Sequence, residues 1–137
     1  MPTDLQFDYE SGCLIVRASG PYFLEQKEAA IKAIAAAIKA QPVKAVLVDL
    51  RAVPGHPTFM DRYQLGELAG RYLTHGPIAV LAHEKQTDPQ RIGKIVANNR
   101  GAKVEIVTDL VEAEKWLKKY IGPDQLAGAT GILSRVR

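Results

Sequence analysis

Little in this sequence of 137 residues favours a disulfide-stabilised, membrane-spanning or nucleic-acid-binding protein. Cys13 is the only cysteine, so no intrachain disulfide can form, and its place in an apolar run predicts a core residue. No apolar run approaches the ~20 residues of a membrane helix, and the polar, acidic start predicts no signal peptide. Aromatic residues are only 7% and do not alternate with basic ones, although the net charge is +3. We therefore expect a cytoplasmic protein that binds no nucleic acid.

The sequence also lacks the common catalytic and cofactor motifs. It has no G-x-G-x-x-G or Walker-type loop for nucleotides and no G-x-S-x-G nucleophile elbow. His56 and His83 could share one edge of a sheet, where Asp61 or Glu84 could orient a histidine base. Two histidines without a third spaced ligand are a weak zinc signal. We predict no metal and no cofactor, and a histidine-dependent enzyme is the least favoured function.

What the chain does contain is a regular alternation of strand and helix patterns. Residues 5–9 alternate apolar and polar, and the apolar residues 13–18 follow after a short turn, which predicts an antiparallel hairpin. Further strands are predicted at 43–50, 78–82 and 104–107, and the helices are predicted to begin at Phe23, Thr58, Asp88 and Asp109. The order β-β-α-β-α-β-α-β-α predicts an α/β fold whose mostly parallel five-stranded sheet has an antiparallel N-terminal edge strand. We assign one domain to residues 1–120 and a C-terminal tail to 121–137.

Short polar signals mark the predicted helix ends. Thr58 can cap the second helix, with Asp61 three residues later as a variant of the capping box. Asp88 followed by Pro89 is a typical helix start, because proline suits the first helical position. Gly101 suits the left-handed position that ends the third helix.

The buried faces of the second and third helices are predicted from small and apolar residues. Gly66 and Gly70 lie four residues apart, which we interpret as close packing of the second helix on the sheet. Ile92, Ile95 and Val96 are expected to line the inner face of the third helix.

In a parallel sheet, the loops that leave the carboxyl ends of the strands gather at one edge. Helix N-termini at this edge offer unpaired N–H groups and partial positive charge, which suit an anion. An anion site could use the three arginines there, or else these are solvated and the N-termini are satisfied by Thr58, Asp88 and Asp109. We define the candidate surface as the following residues of this edge: Arg51, His56, Thr58, Asp61, Arg62, Tyr63, His83, Thr87 and Arg91.

Four stretches together carry a family resemblance. They are Val-Leu-Val-Asp-Leu-Arg at 46–51, Phe-Met-Asp at 59–61, Asn-Arg-Gly-Ala at 99–102, and 108–117 with its Thr-Asp, Glu-Ala and Trp-Leu pairs. In this order and spacing they resemble the STAS domain superfamily, the fold of anti-sigma-factor antagonists, and within it the SpoIIAA-like branch of uncharacterised bacterial proteins. The resemblance implies a sheet with sequentially ordered strands and a functional loop before the second helix.

The same resemblance suggests what the function would be. In the antagonists the loop reads roughly Phe-Met-Asp-Ser-Ser-Gly, and phosphorylation of a serine switches partner binding. Arg62 and Tyr63 stand at those positions here, so we predict a non-catalytic regulatory or protein-interaction module without a phosphorylatable serine. The alternative is a small anionic or amphipathic, lipid-like ligand at the strand edge, because lipid-binding domains of the Sec14 type share this fold resemblance. The protein partner is unknown, and a homodimer is a further alternative.

Overall fold

The structure, a computed structural model, describes residues 4–10 and 12–121 of the chain. Its strands are β1 (Asp4–Glu10), β2 (Cys13–Ser19), β3 (Ala45–Ala52), β4 (Pro77–Leu81) and β5 (Lys103–Val107). Its helices are α1 (Lys27–Ala40), α2 (Phe59–Tyr72), α3 (Ile92–Asn99) and α4 (Leu110–Tyr120), with one 3₁₀ turn at Glu84–Gln86. The predicted order of strands and helices is therefore confirmed. Except for Ile121, the predicted tail lies outside the described residues.

The five strands form one sheet in the sequential order β1-β2-β3-β4-β5. β1 runs antiparallel to β2, with Phe7 opposite Val16, as expected for two strands joined by a short turn. The remaining neighbours are parallel, so that Leu47 of β3 lies opposite both Ile15 of β2 and Ala79 of β4. This confirms a mostly parallel α/β sheet with an antiparallel N-terminal edge strand.

The two faces of the sheet are covered by different helices, because alternate side chains of each strand point to opposite sides. We call one side the α4 face; its core contains Cys13, Ile15, Leu47, Leu81, Trp116 and Leu117. We call the other the three-helix face; its core contains Leu14, Val16, Val46, Ile31, Ile34 and Ala69. β3 contributes to both cores, which explains its nearly continuous apolar sequence.

The predicted start of α1 at Phe23 is wrong, because the helix begins at Lys27. The preceding residues form turns, in which the N–H of Gln26 donates to the carbonyl of Tyr22 at 3.0 Å. The side chain of Phe23 is buried in a small cluster with Val53 and neighbours from β2 and α1. Burial of this aromatic ring therefore decides the local backbone, although residues 23–40 have a helical apolar period.

The predicted start of α3 at Asp88 is also wrong, because the helix begins at Ile92. Arg91 adopts a left-handed conformation with φ 53° and ψ 49°, which separates the turn at 88–91 from the helix. The carboxylate of Asp88 still accepts a hydrogen bond from the N–H of Ile92 at 3.1 Å. Asp88 thus satisfies the helix start as predicted, but from four residues upstream.

Two predictions about helix packing need correction. A Cβ atom on Gly66 would lie 2.6 Å from the carbonyl oxygen of Gly93, and one on Gly70 would lie 2.4 Å from Cβ of Arg100. These glycines therefore allow α2 to approach α3, rather than the sheet, because the main chains lie too close for any side chain.

The predicted inner face of α3 also included one residue that the structure places on the outside. Ile95 is 48% exposed, whereas Val96 and Ala97 are buried. Successive helical residues are rotated by about 100°, so the packing of Val96 and Ala97 leaves Ile95 on the outside.

Within the described residues, none of the helices has the length and hydropathy that crossing a bilayer requires.

Candidate functional site

The connection between β3 and α2 is a short loop that reaches a firmly capped helix. Thr58 Oγ accepts a hydrogen bond from the N–H of Asp61 at 3.0 Å, and the carboxylate of Asp61 accepts one from the N–H of Thr58 at 2.9 Å. This is the capping box expected from the sequence. The hydrogen bond from the Thr58 N–H, assisted by Lys27 Nζ at 3.5 Å, lowers the pKa of Asp61.

Arg51 lies at the end of β3 and is held by its own strand. Its Nε and Nη2 each donate to the carboxylate of Asp49 at 3.0 Å, and its backbone N–H donates to the same carboxylate at 3.0 Å. Asp49 is 8% exposed. The hydrogen bond to Asp49 raises the pKa of Arg51. A buried carboxylate is paired in this way because an isolated buried charge is unfavourable.

Arg62 and Gln86 connect the loop, the start of α2 and the 3₁₀ turn. Arg62 Nη2 donates to the carbonyl of Gln86 at 3.1 Å, and its Nε lies 3.6 Å from a carboxylate oxygen of Asp88. The side-chain amide of Gln86 donates to the carbonyls of Leu50 and Val53 at 3.0 and 3.1 Å. Sequence reasoning missed Gln86, because nothing in its local sequence indicates that its amide satisfies backbone groups more than thirty residues away.

The first turn of α2 exposes two large apolar side chains. Phe59 is 60% exposed and Met60 is 55% exposed. The ring of Tyr63 stacks on that of Phe59 with a centroid distance of 6.4 Å. The guanidinium of Arg100 lies 5.6 Å from the centroid of the Tyr63 ring, and its Nη2 donates to the Tyr63 hydroxyl at 3.3 Å. Arg62 is therefore held by Asp88 and Gln86, whereas Tyr63 contacts Phe59 and Arg100.

The other residues of the candidate surface lie on the loops and turns around the start of α2. His56 and His83 are exposed, and the backbone N–H of His83 donates to the side-chain oxygen of Gln86 at 2.6 Å. Thr87 Oγ1 donates to the carbonyl of Glu84 at 2.7 Å. Arg91 is half-buried beside the start of α3. In the described part of the chain, no three His, Cys, Asp or Glu residues are grouped as metal ligands would be.

A cavity of about 170 Å³ lies on the three-helix face, beneath the start of α2. Its walls are mainly apolar and come from the sheet, all three helices and the β3–α2 loop; they include Ile31, Val48, Leu65, Ala69, Val80 and Ile106. The exposed Pro54 and Gly55 also line it, so the cavity reaches the surface beside the loop. Its polar lining consists of Arg62, Gln86, Thr87, Asp88 and Lys94.

The sequence analysis did not anticipate this cavity. Four of its lining residues on α2 and α3 are Gly66, Ala69, Gly93 and Ala97, whose side chains are too small to fill the space above the sheet. Small residues at these four positions are a sequence signal from which a cavity could have been predicted. It does not by itself distinguish a cavity from closely packed helices, and in this protein both are present.

No protein family and no curated protein matches the chain. Among solved structures, it is similar to an anti-sigma factor antagonist from Mycobacterium paratuberculosis, with a TM-score of 0.54, 17% identity, and coverage of 85% of this chain and 95% of that one. It also aligns with a serine-to-glutamate variant of RsbS from Moorella thermoacetica, with a TM-score of 0.49, 13% identity, and coverage of 84% and 95%. The chain therefore has the fold of the Mycobacterium paratuberculosis protein, and the sequential strand order that the resemblance implied is confirmed.

Proposed function

We propose that this chain is a non-catalytic regulatory module that binds a protein partner through the start of α2. The observation that carries the proposal is the exposure of Phe59 and Met60, at 60% and 55%, on the first turn of a capped helix. Large apolar side chains next to each other are unusual on a free surface, and aromatic residues and Met are enriched where proteins bind. The candidate surface surrounds this pair.

The rigidity of this helix start supports the same proposal. The capping box of Thr58 and Asp61 fixes the first turn, and Arg62 joins it to the neighbouring 3₁₀ turn. A surface that is already ordered loses less conformational freedom when a partner binds, so more of the contact energy appears as affinity.

We further propose that the surface is not switched by serine phosphorylation. Arg62 places a positive charge where the antagonist pattern has a serine, and its guanidinium is engaged with Asp88 and Gln86. Tyr63 stands at the other position and is engaged with Arg100. The hydroxyl of Thr58 is the nearest alternative, and it already accepts the capping hydrogen bond.

The fold is consistent with a role in regulation. The similar structure from Mycobacterium paratuberculosis is described as an anti-sigma factor antagonist, a protein that acts on another protein. By analogy we propose a protein partner here too, without assigning it to sigma-factor control, because fold alone does not fix function. A cytoplasmic location belongs to this proposal.

Site-specific photo-crosslinking in the producing cell tests the proposal. A photoreactive phenylalanine analogue at position 59 is compared with the same analogue at position 111, because Val111 is 63% exposed but lies on α4, on the opposite side of the sheet. We expect one discrete crosslinked protein from position 59 and none from position 111. The captured protein is then purified and its affinity for the chain is measured by calorimetry.

The affinity measurements decide whether this surface is the interface. We expect Phe59→Ala and Met60→Ala each to weaken binding by about tenfold or more, whereas Val111→Ala leaves it unchanged. Arg62→Ala and His56→Ala test the rest of the candidate surface. Equal crosslinking from positions 59 and 111, or unchanged affinity in all four surface variants, would contradict the proposal. A crosslinked product with twice the chain's mass would identify a second copy as the partner.

Binding of a small ligand at the same edge of the sheet is a second candidate function. The cavity beneath the β3–α2 loop is the observation that favours it.

A further inference from the structure

The cavity on the three-helix face is a hydrophobic environment in which water finds few hydrogen-bond partners. Its walls are almost entirely aliphatic, with contributions from β3, β4 and β5 below and α1, α2 and α3 above. A buried water needs two to four polar partners, and the apolar walls of this cavity offer few. An empty volume of about 170 Å³ forgoes dispersion contacts that a bound molecule of matching shape would restore.

The polar side chains that line the cavity already have partners elsewhere in the protein. Arg62 is engaged with Asp88 and with the carbonyl of Gln86, as described above. Lys94 Nζ donates to a carboxylate oxygen of Glu105 at 2.7 Å. The amide of Gln86 satisfies two backbone carbonyls.

This pairing disfavours a charged ligand. An anionic group would compete with Asp88 for Arg62 and with Glu105 for Lys94, and these carboxylates would also repel it. A neutral molecule requires no such displacement.

We propose that this cavity binds a small, uncharged, hydrophobic molecule of about the size of a monocyclic or bicyclic aromatic compound. The volume supports the size, because an engineered apolar cavity of about 150 Å³ in another protein binds benzene. The proposal gives the second candidate function a ligand class, and it does not depend on a protein partner. It replaces the anionic or lipid-like ligand expected from the sequence with a neutral and compact one.

The loop between β3 and α2 is the natural entrance to the cavity. Pro54 and Gly55 are exposed and also line the cavity, so they form the rim at which it opens to solvent. Gly55 has φ 92°, a left-handed conformation that other residues rarely adopt, and a Cβ there would meet nothing within 4 Å. The same loop leads directly into Thr58 and the exposed pair Phe59 and Met60, so the ligand would lie directly behind the proposed partner surface.

Titration of the purified chain, followed by amide resonances in ¹H–¹⁵N NMR spectra, tests the proposal. The probes are toluene and indole, which are neutral, and benzoate, which has nearly the same ring but carries a charge. We expect saturable shifts with toluene and indole, centred on Val53, Leu65 and Ala69. Benzoate is expected to bind at least about tenfold more weakly than toluene.

A matched pair of substitutions locates the site. Val80→Phe places a ring into the cavity, whereas Val111→Phe makes the same change at an exposed position of α4. We expect Val80→Phe to weaken toluene binding by about tenfold or more and Val111→Phe to leave it unchanged. Ala69→Leu fills the cavity from α2 and serves as the second variant if Val80→Phe does not fold.

Each outcome of these titrations decides a part of the proposal. Binding of toluene that is saturable, weaker with benzoate and blocked by the filling variants supports it. No saturable shift with either neutral probe overturns it, and equal affinity for benzoate overturns the neutral ligand class. Binding that survives both filling variants overturns the location. None of these results depends on the crosslinking at position 59, so failure of the partner proposal and failure of the ligand proposal are distinguishable.

Discussion

The two faces of the sheet differ in how completely their side chains fill the space beneath the helices. On the α4 face, Leu47, Leu81 and Leu117 are completely excluded from solvent, and Trp116 covers them. On the three-helix face, a cavity of about 170 Å³ remains although three helices lie over it. One face therefore has the packing of a stabilising core, and the other retains a space that a ligand can occupy.

The cause of this difference is the size of the side chains that each helix brings to the sheet. α4 brings Trp116 and Leu117, whereas α2 and α3 bring Gly66, Ala69 and Ala97. The glycines let α2 and α3 contact each other closely, but they supply no volume toward the sheet. Tight contact between two helices is thus compatible with a void below them.

Removing a leucine side chain should have unequal consequences on the two faces. Leu117→Ala on the α4 face is expected to lower the free energy of unfolding by about 3–5 kcal/mol, because it opens a cavity in a fully packed core. Leu65→Ala is expected to lower it by only about 1–2 kcal/mol, because Leu65 is half-buried and already borders the cavity. Urea denaturation measures both values. Equal losses would mean that the faces are packed alike.

The close contact of α2 with α3 predicts that Gly66→Ala destabilises the protein, although alanine favours helix. The added Cβ would lie 2.6 Å from the carbonyl oxygen of Gly93 and 2.7 Å from Cβ of Val96. We expect a loss of about 1–3 kcal/mol in the free energy of unfolding from this overpacking. Gly76→Ala is the control, since a Cβ there meets nothing within 4 Å. A stabilising effect of Gly66→Ala would show that the two helices can separate.

Filling the cavity should make the three-helix face more like the α4 face. Val80→Phe is expected to raise the free energy of unfolding by about 0.5–2 kcal/mol, because the ring gains contacts with the cavity walls. Val111→Phe should change it by less than about 0.5 kcal/mol, as an exposed substitution does. Thermal and urea unfolding of the two variants give the comparison. Destabilisation by Val80→Phe alone would indicate that the space cannot accommodate a ring.

Acid should destabilise the start of α2 and leave the protonation of Cys13 on the α4 face unchanged. The pKa of Asp61 is lowered in the folded protein, so its carboxylate stabilises the fold above the unfolded pKa of about 3.9, and this contribution is lost as the pH falls through the folded pKa. Asp61→Ala should therefore cost about 0.3–1 kcal/mol at neutral pH and nothing in strong acid. Unfolding curves of both proteins across this range measure the difference, and a constant difference would contradict it.

The buried thiol provides the matching control on the α4 face. Cys13 is fully excluded from solvent, and burial raises its pKa to about 12. It therefore stays protonated throughout the acid titration, and a thiol reagent should modify it only when the chain unfolds. Rapid modification of the native protein at neutral pH would mean that the α4 face opens.

Local patterns predicted those parts of the fold whose signals are local. The nearly continuous apolar run at residues 43–50 predicted a strand covered on both sides, and the pair Thr58 and Asp61 predicted the capping box. Both signals depend on neighbours within a few residues. The predicted starts of α1 and α3 were wrong for different reasons. Phe23 is drawn into the core, and Arg91 takes a left-handed conformation ahead of α3.

Local sequence patterns predicted the α/β class, the sequential alternation of strands and helices, and the position of the β3–α2 loop at the carboxyl edge of the sheet. The three-dimensional arrangement alone brought Arg62 to Asp88 and Gln86 to the loop, and it left a mainly apolar cavity beneath the start of α2. The reason is the separation along the chain over which each interaction acts. Hydrophobic period and capping act between residues close in the chain, whereas charge pairing and unfilled volume depend on which distant elements meet.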